Sequence, residues 1–187
     1  MRISKDPEVR KQEIIDTAMH LFAKNGYEAT SISDIAKEMN VVPGLCYRYF
    51  KSKEELYYTA LHNYAMETCE PIITIMEQEY NTVEEYWERL SANFLKTDGK
   101  EKYHEFFHRK GSELFHNQLE HETLVILTPY MTRLIERLNE KEQLHLTNCR
   151  ATTSFLLYGQ MPILNDETML TEEKVAVLSE LITKVLK

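Results

Sequence analysis

Glycine and proline are scarce in this chain, five of each in 187 residues, and no stretch alternates β-branched with polar residues between turn signals. Sheet proteins need both the turns and the alternation, so strands are excluded as the main building material. Cysteine is nearly absent too. Cys46, Cys69 and Cys149 are odd in number and widely spaced, which argues for reduced thiols rather than a disulfide framework. No apolar run reaches the roughly 18 residues that a membrane-spanning helix needs, and no secretory leader pattern opens the sequence. A soluble, cytoplasmic protein with no membrane partner and no cofactor is therefore expected. What remains is apolar residues at helical spacing from end to end, and they predict an all-α fold of about nine helices.

Positive charge is also in short supply, but unevenly. The net charge is −8 overall, yet residues 1–53 hold nine Lys and Arg against seven Asp and Glu, a net of +2. The remainder holds thirteen against twenty-three, a net of −10. A mildly basic head on an acidic body suits a module that meets phosphates through one end.

The head carries a dense succession of helix signals. Asp6-Pro7 pairs an N-cap residue with proline at the first helical position, and Asn25-Gly26 supplies a left-handed stop. Between them Ile14, Ile15, Ala18, Leu21 and Phe22 form one apolar stripe. Ser31 to Asp34 has the form of a capping box, opening a helix to about Met39. Asn40 tolerates the left-handed conformation of a tight turn, and Pro43 starts a further helix to about Phe50. Ser52-Lys53-Glu54-Glu55 is a second capping box and opens a long helix. Two helices of about eight residues joined by a tight turn are too short to stand alone, and their joint form is a helix-turn-helix, whose second helix enters the major groove of DNA.

The residues from Arg10 to Leu56 resemble the TetR family of bacterial repressors. The match rests on I-I-D-T-A-x-x-L-F at 14–22, Gly26-Tyr27, Thr30-Ser31, Asp34-Ile35-Ala36, Val41, Gly44, Tyr47, Phe50, Lys53-Glu54 and Leu56. It departs from the family at Asn40, where glycine is usual, and at Val42, where a small hydroxyl residue is usual. The resemblance implies an N-terminal three-helix DNA-binding head, here residues 1–52. It further implies a helical effector-binding and dimerisation bundle, here 53–187, and a homodimer on operator DNA. Gly44 would let the recognition helix approach the groove closely, with Pro43 and Leu45 as apolar contacts. Arg48 would fork onto guanine or clamp a phosphate, and both readings stay open. Tyr47 and Tyr49 would donate hydroxyls to phosphate. Ser31, Ser33 and Lys53 sit at helix starts, where backbone N–H groups favour an anion; for Ser31, plain capping is the equal alternative. Cys46 reads as buried core.

The body predicts helices over about 53–79, 82–96, 119–139 with a kink at Pro129, 141–160 and 171–187, with less regular helix over 100–117. Its aromatics and methionines are mostly core by their spacing, but kinked helices leave room for a small-molecule effector. Trp87, Phe94, Phe107, Met131 and Phe155 are the candidate ligand contacts, and the effector expected there is hydrophobic or aromatic. Val175, Leu178, Leu181, Ile182 and Val185 make the last helix more apolar than a solvated terminus, which favours dimerisation through it. One competing pattern is present. His104-Glu105-x-x-His108 matches the zinc-protease signature, with two imidazoles for Zn²⁺ and Glu105 as general base. A zinc-dependent hydrolase is therefore the alternative function. Leu114 stands where the extended signature needs its third histidine, so neither a metal site nor a catalytic residue is assigned.

Overall fold

The structure is a computed structural model and describes residues 6–97, 106, 113–142 and 144–186. Among these residues all regular structure is helical. The helices are α1 (Pro7–Asn25), α2 (Ile32–Glu38), α3 (Pro43–Tyr47), α4 (Lys53–Met76), α5 (Val83–Thr97), α6 (Glu113–Glu142), α7 (Cys149–Gly159), α8 (Met161–Leu164) and α9 (Thr171–Leu186). None is long and apolar enough to cross a membrane.

The chain packs as two compact units. The first runs to Tyr64 and includes a segment ending at Leu119; the second takes in Ala65 onward and the chain from Glu120. In the first unit the caps act as the sequence predicts. The Asp6 carboxylate accepts from the N–H groups of Glu8 and Val9, and Gly26 ends α1 at a φ of 92°, a region costly for a side-chain-bearing residue. Asn40 turns the chain at a φ of 54°. Ile14, Ala18, Phe22, Ile35 and Phe50 close the core. A cluster of rings extends it: Tyr27 meets Phe22 at 5.1 Å and Tyr57 at 5.2 Å, and Tyr57 meets Phe115 at 5.3 Å. The Tyr57 hydroxyl donates to Gln118 at 2.9 Å. Phe106 and Phe115, which the sequence suggests for the body, belong to this core.

In the second unit the apolar faces of α5, α6, α7 and α9 are buried inward through Val83 and Tyr86, Leu134 and Leu138, Leu156 and Leu157, and Leu178 and Ile182. Arg137 on α6 donates to the Met76 carbonyl at 2.6 Å, and Lys141 to the Tyr80 carbonyl at 3.2 Å, so the end of α4 and the following turn are pinned. Three boundaries differ from expectation. α6 begins at Glu113, because no breaker stands at 117–119, and it continues through Pro129 as one helix. The predicted 141–160 helix is instead α7 alone. His145 takes a φ of 57° and the Asn139 side chain captures the Leu146 N–H at 2.9 Å, which interrupts helical pairing until Asn148 caps α7. Pro162 then opens the single turn α8.

Candidate DNA-binding face and effector cavity

α2 and α3 are short for identifiable reasons. Ser31 closes the full capping box with Asp34: its hydroxyl donates to the carboxylate at 2.6 Å and accepts from the Asp34 N–H at 3.2 Å. Those bonds hold the Asp34 carboxyl below the usual carboxylate range. The N-terminus of α2 therefore already has its anion, and Ser31 is engaged as a cap. Val42 supplies no side-chain cap to α3, and Pro43 at the first position removes one of the N–H groups that would need one. α3 ends at Tyr47, earlier than the sequence predicts, so Arg48 is its C-cap residue.

The other candidates divide by exposure. Ser33, Pro43, Gly44, Tyr47 and Arg48 are exposed, while Leu45 and Tyr49 are half-buried. A Cβ placed on Gly44 would meet nothing within 4 Å, so the fold itself does not demand glycine there. Tyr49 packs against the head core. Lys53 lies apart in behaviour: its ammonium donates to the Tyr27 carbonyl at 2.9 Å and sits 4.2 Å from the centre of the Tyr27 ring. Sequence reasoning treats Lys53 as a free phosphate ligand and misses this pairing, because the partner lies 26 positions away. Cys46 is fully buried, and burial pushes its thiol pKa up, as a structural cysteine requires.

The second unit encloses a cavity of about 210 Å³. Trp87 and Phe94 of α5 and Met131 of α6 line it, as the sequence suggests. Phe155 does not: it is 66% exposed on α7, whose inward positions are Leu156 and Leu157. Its placement is a correction to the sequence reading, and the reason is one of phase, since the helix turns the neighbouring leucines inward. Phe107, like His104, Glu105 and His108, lies outside the described residues. Among the described residues no group of three His, Cys, Asp or Glu is placed to hold a metal. The lining that sequence reasoning misses is mostly aliphatic, with Ile72, Leu90, Leu127, Val175 and Ile182 carrying the same spacing signal as ordinary core, and it includes the polar Ser91, Thr123 and Gln160.

Beside its inward stripe of Leu178, Ile182 and Leu186, α9 exposes Val177, Leu181 and Val185. On α7 the exposed apolar residues are Phe155 and Tyr158.

Residues 14–58 match the family described as bacterial regulatory proteins, tetR family. The chain is 42% identical over 66 residues to the HTH-type transcriptional regulator YuxN of Bacillus subtilis, a match covering 35% of this chain and 23% of that protein. It is 38% identical over 53 residues to IcaR of Staphylococcus epidermidis, named as the negative transcriptional regulator of the biofilm operon icaADBC, covering 28% of this chain and 29% of that one. The matched part thus spans only about a quarter of these relatives' length. The whole fold is similar to that of a TetR-family transcriptional regulator from Mesorhizobium loti, with a TM-score of 0.69 at 16% identity over 97% of this chain and 98% of that one. Residues 14–58 are thus similar to the head of bacterial tetR-family regulators, and the all-helical fold is similar to that of a TetR-family regulator over nearly its whole length.

Proposed function

We propose that this regulator is a ligand-responsive repressor, a homodimer whose residues 1–52 bind operator DNA and whose residues 53–187 dimerise and hold a small hydrophobic or aromatic effector that releases the DNA. The observation that carries the reading is the apolar cavity of about 210 Å³ in the second unit. Native cores are packed to crystal-like density, so an apolar void of this size is a retained cost unless a ligand fills it. Repression also fits IcaR, the relative named as a negative regulator.

The DNA face rests on Ser33, Pro43, Gly44, Tyr47 and Arg48, which are exposed, and on Leu45 and Tyr49 beside them. Arg48 supplies the fork for guanine or phosphate, and the bare Gly44 leaves space for close approach of a base edge. Ser31 and Lys53 support this face from within, one as cap and one as the anchor of Tyr27. Dimerisation is assigned to the exposed apolar stripes of α7 and α9, arranged as a two-fold four-helix interface. Two recognition helices must then stand roughly 34–36 Å apart to enter successive major grooves.

The test is selection of bound fragments from the source genome, followed by anisotropy titration of the selected site. A palindromic site bound by a dimer, with affinity falling steeply as salt rises, is the expected result. An effector should then weaken binding while light scattering still reports a dimer. A monomer at micromolar concentration, or fragments no tighter than random DNA, would sink the proposal.

A further inference from the structure

We propose that the effector is an uncharged molecule of about one ring, whose single carbonyl or hydroxyl group is hydrogen-bonded by the Gln160 side-chain amide. The inference rests on the reading of the body cavity as the effector site and narrows the chemistry that site accepts.

Charge is decided by the walls. Among the described residues that line the cavity there is no Asp, Glu, Lys, Arg or His. A carboxylate, phosphate or ammonium entering it would lose its hydration and find no counter-charge, a penalty of several kcal/mol per ion even after relaxation. Ligands that are ionised at neutral pH are thereby excluded.

Polarity is decided by which lining groups remain uncommitted. The Ser91 hydroxyl donates to the Trp87 carbonyl at 2.7 Å. The Tyr86 hydroxyl is directed at the Met131 sulfur at 3.6 Å, and Thr123 is hydrogen-bonded with the Cys69 thiol. Gln160 differs. It stands where α7 ends and α8 begins, and its backbone N–H is used in closing α7 while its side chain makes no cap hydrogen bond to α8. A partly buried primary amide carries both donors and an acceptor, so it can donate to a ligand oxygen or accept from a ligand hydroxyl. Size is decided by volume: an apolar cavity of about 150 Å³ holds benzene, so 210 Å³ suits one ring with a small substituent rather than a long acyl chain.

Trp87 lines the cavity and is the single tryptophan of the chain, so its fluorescence reports occupancy directly. The full chain is titrated with methyl benzoate and benzyl alcohol, with their charged counterparts benzoate and benzylammonium, and with toluene. The neutral probes should saturate the Trp87 signal at millimolar concentration or below, and the charged ones should bind at least tenfold more weakly. Gln160→Leu, which keeps the volume, should weaken methyl benzoate at least tenfold and leave toluene unchanged, the toluene result confirming that the cavity is intact. Benzoate binding as tightly as its ester, saturation by none of the neutral probes, or methyl benzoate binding unaltered in Gln160→Leu would each overturn the proposal. Operator release is read separately. A probe that fills the cavity without releasing DNA supports the present inference and sinks only the repressor-release reading on which it builds.

Discussion

The two units treat interior space in opposite ways. In the first, alanines with no exposed surface, Ala18 and Ala36, fit between Phe22, Ile35 and Phe50, and rings in edge and tilted contacts fill the remainder. In the second, an apolar volume of about 210 Å³ is left open, and more apolar surface stands outward on α7 and α9. The head has the packing of an element whose task is to hold a fixed outer face. The body leaves an internal apolar void and an outward apolar stripe, which the proposed effector and a second copy would cover. A ligand that binds the folded body alone would stabilise it by mass action, which a filled core gives no opportunity to do.

The sharpest way to break this contrast is at the outward stripe. Leu181→Glu alters a residue that is 45% exposed, so in a monomer it should leave stability nearly unchanged. If the stripe is the dimer interface, the uncompensated charge should cost about 3–5 kcal/mol of association, and operator binding should fall with it. Sedimentation and anisotropy on the same sample read both effects.

Next come two enlargements of buried side chains. Ala18→Leu overpacks the head and should lower stability by about 1–3 kcal/mol in denaturant unfolding. Leu90→Phe, in the cavity wall, should be neutral or raise stability by about 0.5–2 kcal/mol, as cavity filling does, and should abolish the Trp87 response to neutral probes. Equal destabilisation by both would show that the body is packed as tightly as the head.

Within the head, Arg48 and Lys53 should part company. Arg48→Ala should relax preference at one base pair per half-site, by about 1–3 kcal/mol if the fork reads guanine. Lys53→Ala should lower the melting temperature through loss of its Tyr27 contacts and leave the salt dependence of DNA binding unchanged. A fall of the salt slope by about 0.9 per half-site would instead assign Lys53 to a phosphate.

The smallest effect concerns the α2 cap. Asp34 is fully exposed and its carboxyl is held low by Ser31, so the folded state favours its ionised form. The contribution to stability is present above the ordinary carboxylate pKa and is lost as pH falls through the depressed folded value. Asp34→Asn should therefore melt below the wild type at pH 7, and the gap should close in acid.

Much of the head was legible because its signals are local. Asp6, Ser31 and Asn40 act within three or four positions of themselves, so spacing alone places α1, α2 and the turn. The body was legible only in outline. Trp87, Phe94 and Met131 line the cavity as their spacing suggests, yet Phe155 faces outward and its neighbours Leu156 and Leu157 turn inward. A helix of mixed apolar positions has several possible inward faces, and only the helices packed on it select one. The non-helical stretch 144–148 carries no signal of its own for a related reason, since it depends on Asn139 capturing the Leu146 N–H, a contact that carries no cap motif.

By itself the sequence determined an all-helical chain with a helix-turn-helix head, because helix period, caps and turn residues are written within a few positions of one another. Tertiary structure decided which faces look inward, that Lys53 closes on Tyr27, that Phe106 and Phe115 join the first core, and that no charged residue is among the described residues lining the body cavity. Those outcomes depend on side chains brought together from distant positions, where the gain from burial and pairing is set by the neighbours and not by the residue alone.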